Sequence, residues 1–195
     1  GCDLVTAWLA PKFLRNEDKG SIVFDLRSSH AVSHAIEKAG GLPVKSRVGH
    51  VFMKQAMAEH DASFGGELSG HFYFRDNFYA DSGAMAFAAV LSAIATSEQT
   101  MSEQISPHRT FCQSGEINFE TQDKDAAMAM LLAGFPDAIV DRLDGVTLDC
   151  GEWWCNVRAS NTEPLLRLNL EASTESEVTA RVAEVSVFLG TRVDH

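Results

Sequence analysis

The chain has 195 residues, 45% of them hydrophobic and 22% charged, the make-up of a globular protein with room for one large core or two modest ones. Lys and Arg number 16 against 27 Asp and Glu, so the net charge is -11. Nucleic acid and anionic membranes need basic surface, so neither is expected as a partner, and an anionic ligand must be held by a local cluster. The four cysteines (Cys2, Cys112, Cys150, Cys155) show no C-x-x-C pair and no zinc spacing. They read as reduced, mostly core thiols of a cytoplasmic protein. The longest apolar run, within residues 84–95, is too short to span a bilayer, and no signal peptide is visible.

Residues 3–14 carry Leu4, Val5, Trp8, Leu9, Phe13 and Leu14 at helical spacing, and the polar run 16–20 ends that helix. Residues 21–26 read as a short buried strand. Ser28 or Ser29 can cap the next helix, and Gly40-Gly41 stops it. A second strand at 42–45 and a helix at 51–60 follow. Then comes Gly65-Gly66-Glu67-Leu68-Ser69-Gly70-His71, between Phe64 and Phe72-Tyr73-Phe74. Glycine permits positive φ and close backbone approach, so this is a tight loop at a strand end. Glu67 accepts hydrogen bonds from hydroxyls, Ser69 donates or accepts, and His71 does either, which suits a polyol. The same residues also fit a plain turn with Glu67 and His71 in water. Asp81-Ser82-Gly83 starts an Ala-rich helix. Alternating strand and helix predict an α/β layered domain with a mixed sheet over residues 1–97.

Residues 98–108 are polar and read as a linker. From 109 to 195 the style changes: strands near 110–121, 138–143, 146–149, 153–158 and 165–172, with helices at 124–133 and after Thr174. Thr174-x-x-Glu177 is a capping pattern ahead of Val178, Val182, Val185 and Leu189. That predicts a small α+β domain with a mainly antiparallel sheet and two helices. Arg158-Ala159-Ser160-Asn161-Thr162-Glu163-Pro164 joins the last two strands and is long for a hairpin link. Arg offers a planar fork for phosphate, the next three residues add hydroxyl and amide donors, and such a turn can form an anion nest. An Asn/Ser/Thr turn with Arg158 paired to a carboxylate is the alternative.

Together the two loops resemble those of the α-D-phosphohexomutase superfamily, within it the phosphomannomutase/phosphoglucomutase group. Gly66-Glu67-Leu68-Ser69-Gly70-His71 is similar to the family's G-E-M-S-G-H sugar loop, and Arg158 to Pro164 to its R-x-S-N-T-E-P phosphate loop. Val48-Gly49-His50 resembles the T-G-H segment ahead of the first loop, and Tyr73-Phe74-Arg75-Asp76 the residues after it. Asp25-Leu26-Arg27 resembles a D-x-K or D-x-R segment. The similarity covers the third and fourth of the family's four domains, residues 1–97 and 109–195. The phosphoserine loop T-A-S-H-N-P and the metal loop D-G-D-x-D-R are absent from this sequence, which is therefore expected to be a C-terminal half.

The resemblance implies interconversion of hexose 1-phosphate and hexose 6-phosphate, for mannose and/or glucose, through a bisphosphorylated sugar. It implies that Glu67, Ser69 and His71 bind the sugar, and that Arg158, Ser160, Asn161 and Thr162 hold the phosphate not being transferred. Arg27 and His50 map near the reacting centre. Arg keeps its charge, so Arg27 is expected to stabilise charge, with His50 as the acid/base candidate or, equally, a hydrogen-bonded packing residue. Mg²⁺ and the phosphoserine belong to the missing N-terminal half. No residue of this chain is expected to ligate a metal, and the chain alone is expected to be inactive. Its partners are then a hexose phosphate and that missing half. A non-catalytic sugar-phosphate-binding module is an alternative. A phosphoglucosamine mutase fragment is another, but such relatives read G-E-Q-S-G-H and carry Gly where Asn161 stands.

Overall fold

The computed structural model describes residues 1–15, 19–160 and 163–193, and the chain divides into two compact units, Gly1–Thr110 and Phe111–His195. In the first unit the elements run α1 (Asp3–Leu14), β1 (Ser21–Asp25), α2 (His30–Lys38), β2 (Leu42–Ser46), α3 (His50–Glu59), β3 (Phe64–Gly66), β4 (Phe72–Phe74), β5 (Ala80–Asp81), α4 (Gly83–Ala95) and α5 (Met101–Ile105). The sheet order is β2-β1-β3-β4-β5. β1 pairs in parallel with β2 and β3, and β4 and β5 add antiparallel. The expected mixed sheet is therefore present.

β1 is buried on both faces, and its alternating side chains feed two cores. Ile22 and Phe24 join the residues of α1, α2 and α4 on one side. Val23 joins Met53 and Met57 of α3 on the other. The chain thus steps from β1 to β2 over one face and returns to β3 over the opposite face. That reversal makes β1 the topological switch of the sheet, and such a sheet opens a crevice at the carboxyl ends of its strands.

Local signals place the helix ends. The Ser29 hydroxyl accepts from the Ala31 N–H at the start of α2, and the Ser82 hydroxyl from the Met85 N–H at the start of α4. The stretch expected as a linker is ordered instead. Thr100 and Glu103 form a capping box for α5, and Ile105 is buried in the core beside α1. Met101, four residues earlier on the same helix, packs against that core as well, and the polar composition of the rest of the run hid the pair.

His108 closes the 3-10 turn Ser106–His108. Burial, and then the Lys38 ammonium, lower its pKa from 6.5. A histidine that the fold holds neutral takes up its proton more readily when unfolded. The native state is therefore unpenalised above about pH 6.5 and loses stability as pH falls through that value towards the folded pKa. Melting temperature should fall between about pH 7 and pH 5, and H108Q should flatten part of that slope. An unchanged slope in thermal melts of H108Q would show that other groups carry it.

In the second unit the elements run β6 (Cys112–Gln113), β7 (Ile117–Glu120), α6 (Lys124–Gly134), β8 (Ile139–Asp141), β9 (Val146–Asp149), β10 (Trp153–Ala159), β11 (Leu165–Ala172), α7 (Glu175–Ser186) and β12 (Thr191–Val193). The sheet order is β12-β7-β11-β10-β9-β8, with β6 also on β11, and every pairing is antiparallel. Leu166, Leu168 and Leu170 meet Trp153, Cys155 and Val157 under Leu131 of α6 and Val185 of α7. This is the expected α+β architecture. The polar face of β11 is less open than its alternation suggests: Asn169 and Glu171 are buried, and Glu171 accepts from the Trp154 indole N–H at 2.9 Å.

Of the four thiols only Cys155 is buried, where desolvation pushes its pKa up to about 12. Cys112 and Cys150 are half-buried and pack against the same core, and Cys2 is half-buried in the first unit. Among the described residues no helix is long and apolar enough to cross a membrane.

Candidate functional site

The polar residues of the first unit gather at the carboxyl ends of β1, β2 and β3, joined by hydrogen bonds between the three loops that leave those ends. Asp25 ends β1 fully buried. Its Oδ1 accepts from the Arg27 N–H at 2.8 Å and from Nε at 3.1 Å, and its Oδ2 from Nη2 at 2.9 Å and from the Leu68 N–H at 2.8 Å. One carboxylate thus shapes the β1 turn, fixes the Arg27 guanidinium and anchors the Gly-rich loop.

Glu67 is 2% exposed. Its Oε1 accepts from the Gly49 N–H at 3.1 Å, and its Oε2 from the Tyr73 hydroxyl at 2.8 Å. Burial, and then the Glu67 carboxylate, push the Tyr73 pKa far up, so Tyr73 remains a donor. The loop closes through Glu67 N–H to His71 O and Gly70 N–H to Glu67 O, both at 2.9 Å, with Gly70 at φ 93°. Gly66 lies against α1, where a Cβ would stand 2.0 Å from Thr6 Oγ1. The glycines are there for backbone approach, as the sequence implied. Ser69 Oγ is 3.1 Å from His71 Nδ1 on the exposed rim.

His50 opens α3 behind Gly49, which has φ 121°. The His50 Nδ1 lies 3.4 Å from Asp81 Oδ1, and its ring centroid is 4.4 Å from that of His71. The structure therefore brings Arg27, His50, Glu67, Ser69 and His71 together at one sheet edge. Asp25, Gly49, Tyr73 and Asp81 complete the cluster.

The second unit carries the other loop. Arg158 and Arg167 are register partners across β10 and β11 and share Glu116. Arg158 Nη2 donates to Glu116 Oε2 at 2.6 Å, and Arg167 Nη1 is 3.6 Å from Oε1. Arg167 also pairs with Glu163 at 3.5 Å. Lys124 Nζ donates to the carbonyls of Ser160 at 2.8 Å and Glu163 at 2.7 Å, tying both shoulders of the loop to the start of α6. Ser160 is buried, and its N–H donates to Leu165 O at 2.8 Å. Asn161 and Thr162 lie outside the described residues.

Sequence reasoning missed the roles of Asp25 and Tyr73, though both stood in quoted motifs, and it missed Glu116 and Lys124 altogether. Lys124 and Glu116 stand far along the chain from the loop that they steady, so no local pattern marks them. The D-x-R spacing was the available signal for Asp25, since an acceptor two residues before an arginine can meet its fork.

The first unit thus has three α/β/α layers, and the second is an antiparallel α+β unit. A phosphoglucomutase/phosphomannomutase family protein from Burkholderia thailandensis superposes with a TM-score of 0.82 at 24% identity, over 95% of this chain and 40% of that one. Family models match in sequence as well. Residues 3–111 match phosphoglucomutase/phosphomannomutase, alpha/beta/alpha domain III, and residues 116–186 match the C-terminal domain of the same family. The chain belongs to the phosphoglucomutase/phosphomannomutase family. A phosphomannomutase of Methanocaldococcus jannaschii is 43% identical over 183 residues, covering 94% of this chain and 41% of the relative. A Xanthomonas campestris protein named for phosphohexose mutases is 37% identical over 185 residues, 93% of this chain and 41% of that one. The chain thus spans about two fifths of the length of these curated relatives.

Proposed function

We propose that this chain is the sugar- and distal-phosphate-gripping part of a phosphohexomutase, acting with an N-terminal half of the kind its relatives carry. The parent activity is interconversion of hexose 1-phosphate and hexose 6-phosphate, of mannose and/or glucose, through a bisphosphorylated sugar. The observation that carries this reading is the Glu67 carboxylate, buried and held by two donors at the rim of a Gly-rich loop. A carboxylate fixed in that way accepts sugar hydroxyls at little further ordering cost.

In the proposed division of labour, Glu67, Ser69 and His71 grip hydroxyls that take equivalent places in two orientations of the sugar. Arg158 and Ser160, with Asn161 and Thr162, hold the phosphate that is not moving, and Lys124 and Glu116 keep that loop in shape. Arg27, set by Asp25, contributes positive potential near the reacting phosphate. His50, oriented by Asp81, is the acid/base candidate. Such gripping contributes affinity and positioning rather than bond-making. The family's Mg²⁺ takes hard oxygen ligands in an octahedron. Among the described residues the one metal-capable group is His50, Glu67 and His71. Two imidazoles and a carboxylate do not fit Mg²⁺, so its site is assigned to the N-terminal half.

On this reading the purified chain alone does not turn over mannose 1-phosphate, even with a hexose bisphosphate activator. An assay of hexose 6-phosphate formation checks this. Turnover above the protein-free control would overturn it.

A further inference from the structure

We propose that His50, Glu67 and His71 form a site for a zinc-type divalent cation, distinct from the family's Mg²⁺. Each offers one ligand atom, and the three atoms lie within 4.8 Å of one another. Ligand atoms at about 2.0–2.2 Å from Zn²⁺ need only a modest inward adjustment from that spacing, and three protein ligands with an open fourth position are a common zinc arrangement. Both imidazoles are partly exposed and free to make that adjustment, with side chains 51% and 44% accessible.

The surroundings suit a cation. Glu67 is buried, yet its partners are the Gly49 N–H, the Tyr73 hydroxyl and His71, with no Lys or Arg among the described residues. A buried carboxylate facing only neutral donors and an imidazole lacks a fixed positive charge. Two of the three ligands also have support from behind. Tyr73 and Gly49 hold Glu67, and Asp81 stands 3.4 Å from His50 Nδ1, the carboxylate–histidine pairing that orients metal-bound imidazoles. Two imidazoles select Zn²⁺, Co²⁺ or Ni²⁺ over Mg²⁺. The positions are separated along the chain by 17 and 4 residues, which is no recognised ligand spacing and explains the silence of the sequence. One consequence rests on the function proposed above: Glu67 cannot ligate a cation and accept sugar hydroxyls together, so the cation should compete with the hexose phosphate.

The test is Co²⁺ titration of the folded chain, followed by visible d–d absorption, with no sugar phosphate present so that the outcome is independent of the sugar reading. The expected result is a saturable band that Zn²⁺ abolishes and Mg²⁺ at the same concentration leaves intact. H50N and H71N, on exposed side chains, should each weaken binding at least about tenfold with the far-UV circular dichroism unchanged. C2S and the H30N/H34N double variant should bind as the parent chain does. Absence of a saturable band, retention of full affinity in H71N, or loss of it in C2S would each overturn the assignment.

Discussion

Replacing Asp25 by Ala should remove about 3–5 kcal/mol of stability, the cost of breaking a buried ion pair from one side. Asp25 is fully buried, and Arg27, its partner, is 9% exposed. Without the carboxylate, three N–H groups of Arg27 and the Leu68 amide lose their acceptor at once. A folded domain has only about 5–15 kcal/mol in hand, so D25A should remove a large share of the first unit's stability. D25N keeps the shape and one acceptor oxygen and should fall between the two. Urea denaturation followed by circular dichroism reads the difference. A shift below about 1 kcal/mol in D25A, the scale of an exposed pair, would mean that solvent reaches Asp25 and that it does not organise the loops.

The second large effect is at Glu67. On the function proposed above, E67Q in the full-length protein should lower kcat/KM for mannose 1-phosphate by about 10- to 100-fold, since a hydrogen bond to a charged acceptor contributes about 1.5–3 kcal/mol. Gripping that is equal in ground and transition states appears in KM, so KM should carry most of the loss and kcat little of it. Steady-state kinetics separates the two. A fall confined to kcat would move Glu67 from recognition to bond-making. An unchanged kcat/KM would remove it from the site.

Much of the fold was legible because its signals are local. Residues 21–26 gave a strand that is buried on both faces, as a central parallel strand must be, and β1 covers Ser21–Asp25. Thr174-x-x-Glu177 gave the start of α7, and the Thr174 hydroxyl does accept from the Glu177 N–H. In the segment at 98–108, expected as a linker, only Met101 and Ile105 pack against the core, and one apolar i,i+4 pair is a faint signal in a polar run. Residues 110–121 read as one strand but are broken into β6 and β7, with the Ser114 N–H bonding Leu170 O between them.

The candidate site shows the same divide. Glu67, Ser69 and His71 stood out because glycines frame them within one short loop. Arg158 stood out because a long hairpin link follows it. The residues that hold these groups in place come from elsewhere: Asp25 reaches Leu68 across 43 positions, and Lys124 reaches Ser160 across 36. Contacts of that range follow from sheet topology rather than from neighbouring residues. The proximity of His50 to His71 is likewise a product of the β2–β1–β3 order, which sets the loops after β2 and β3 on either side of the β1 turn.

The most direct measurement is an amide NMR titration of this chain with glucose 1-phosphate, at concentrations reaching those of a weak complex of roughly millimolar Kd. The account predicts chemical-shift changes first at residues 158–164, followed by residues 65–71, and loss of the second set in E67Q. Shifts confined to other surfaces, with both loops silent at saturation, would contradict it.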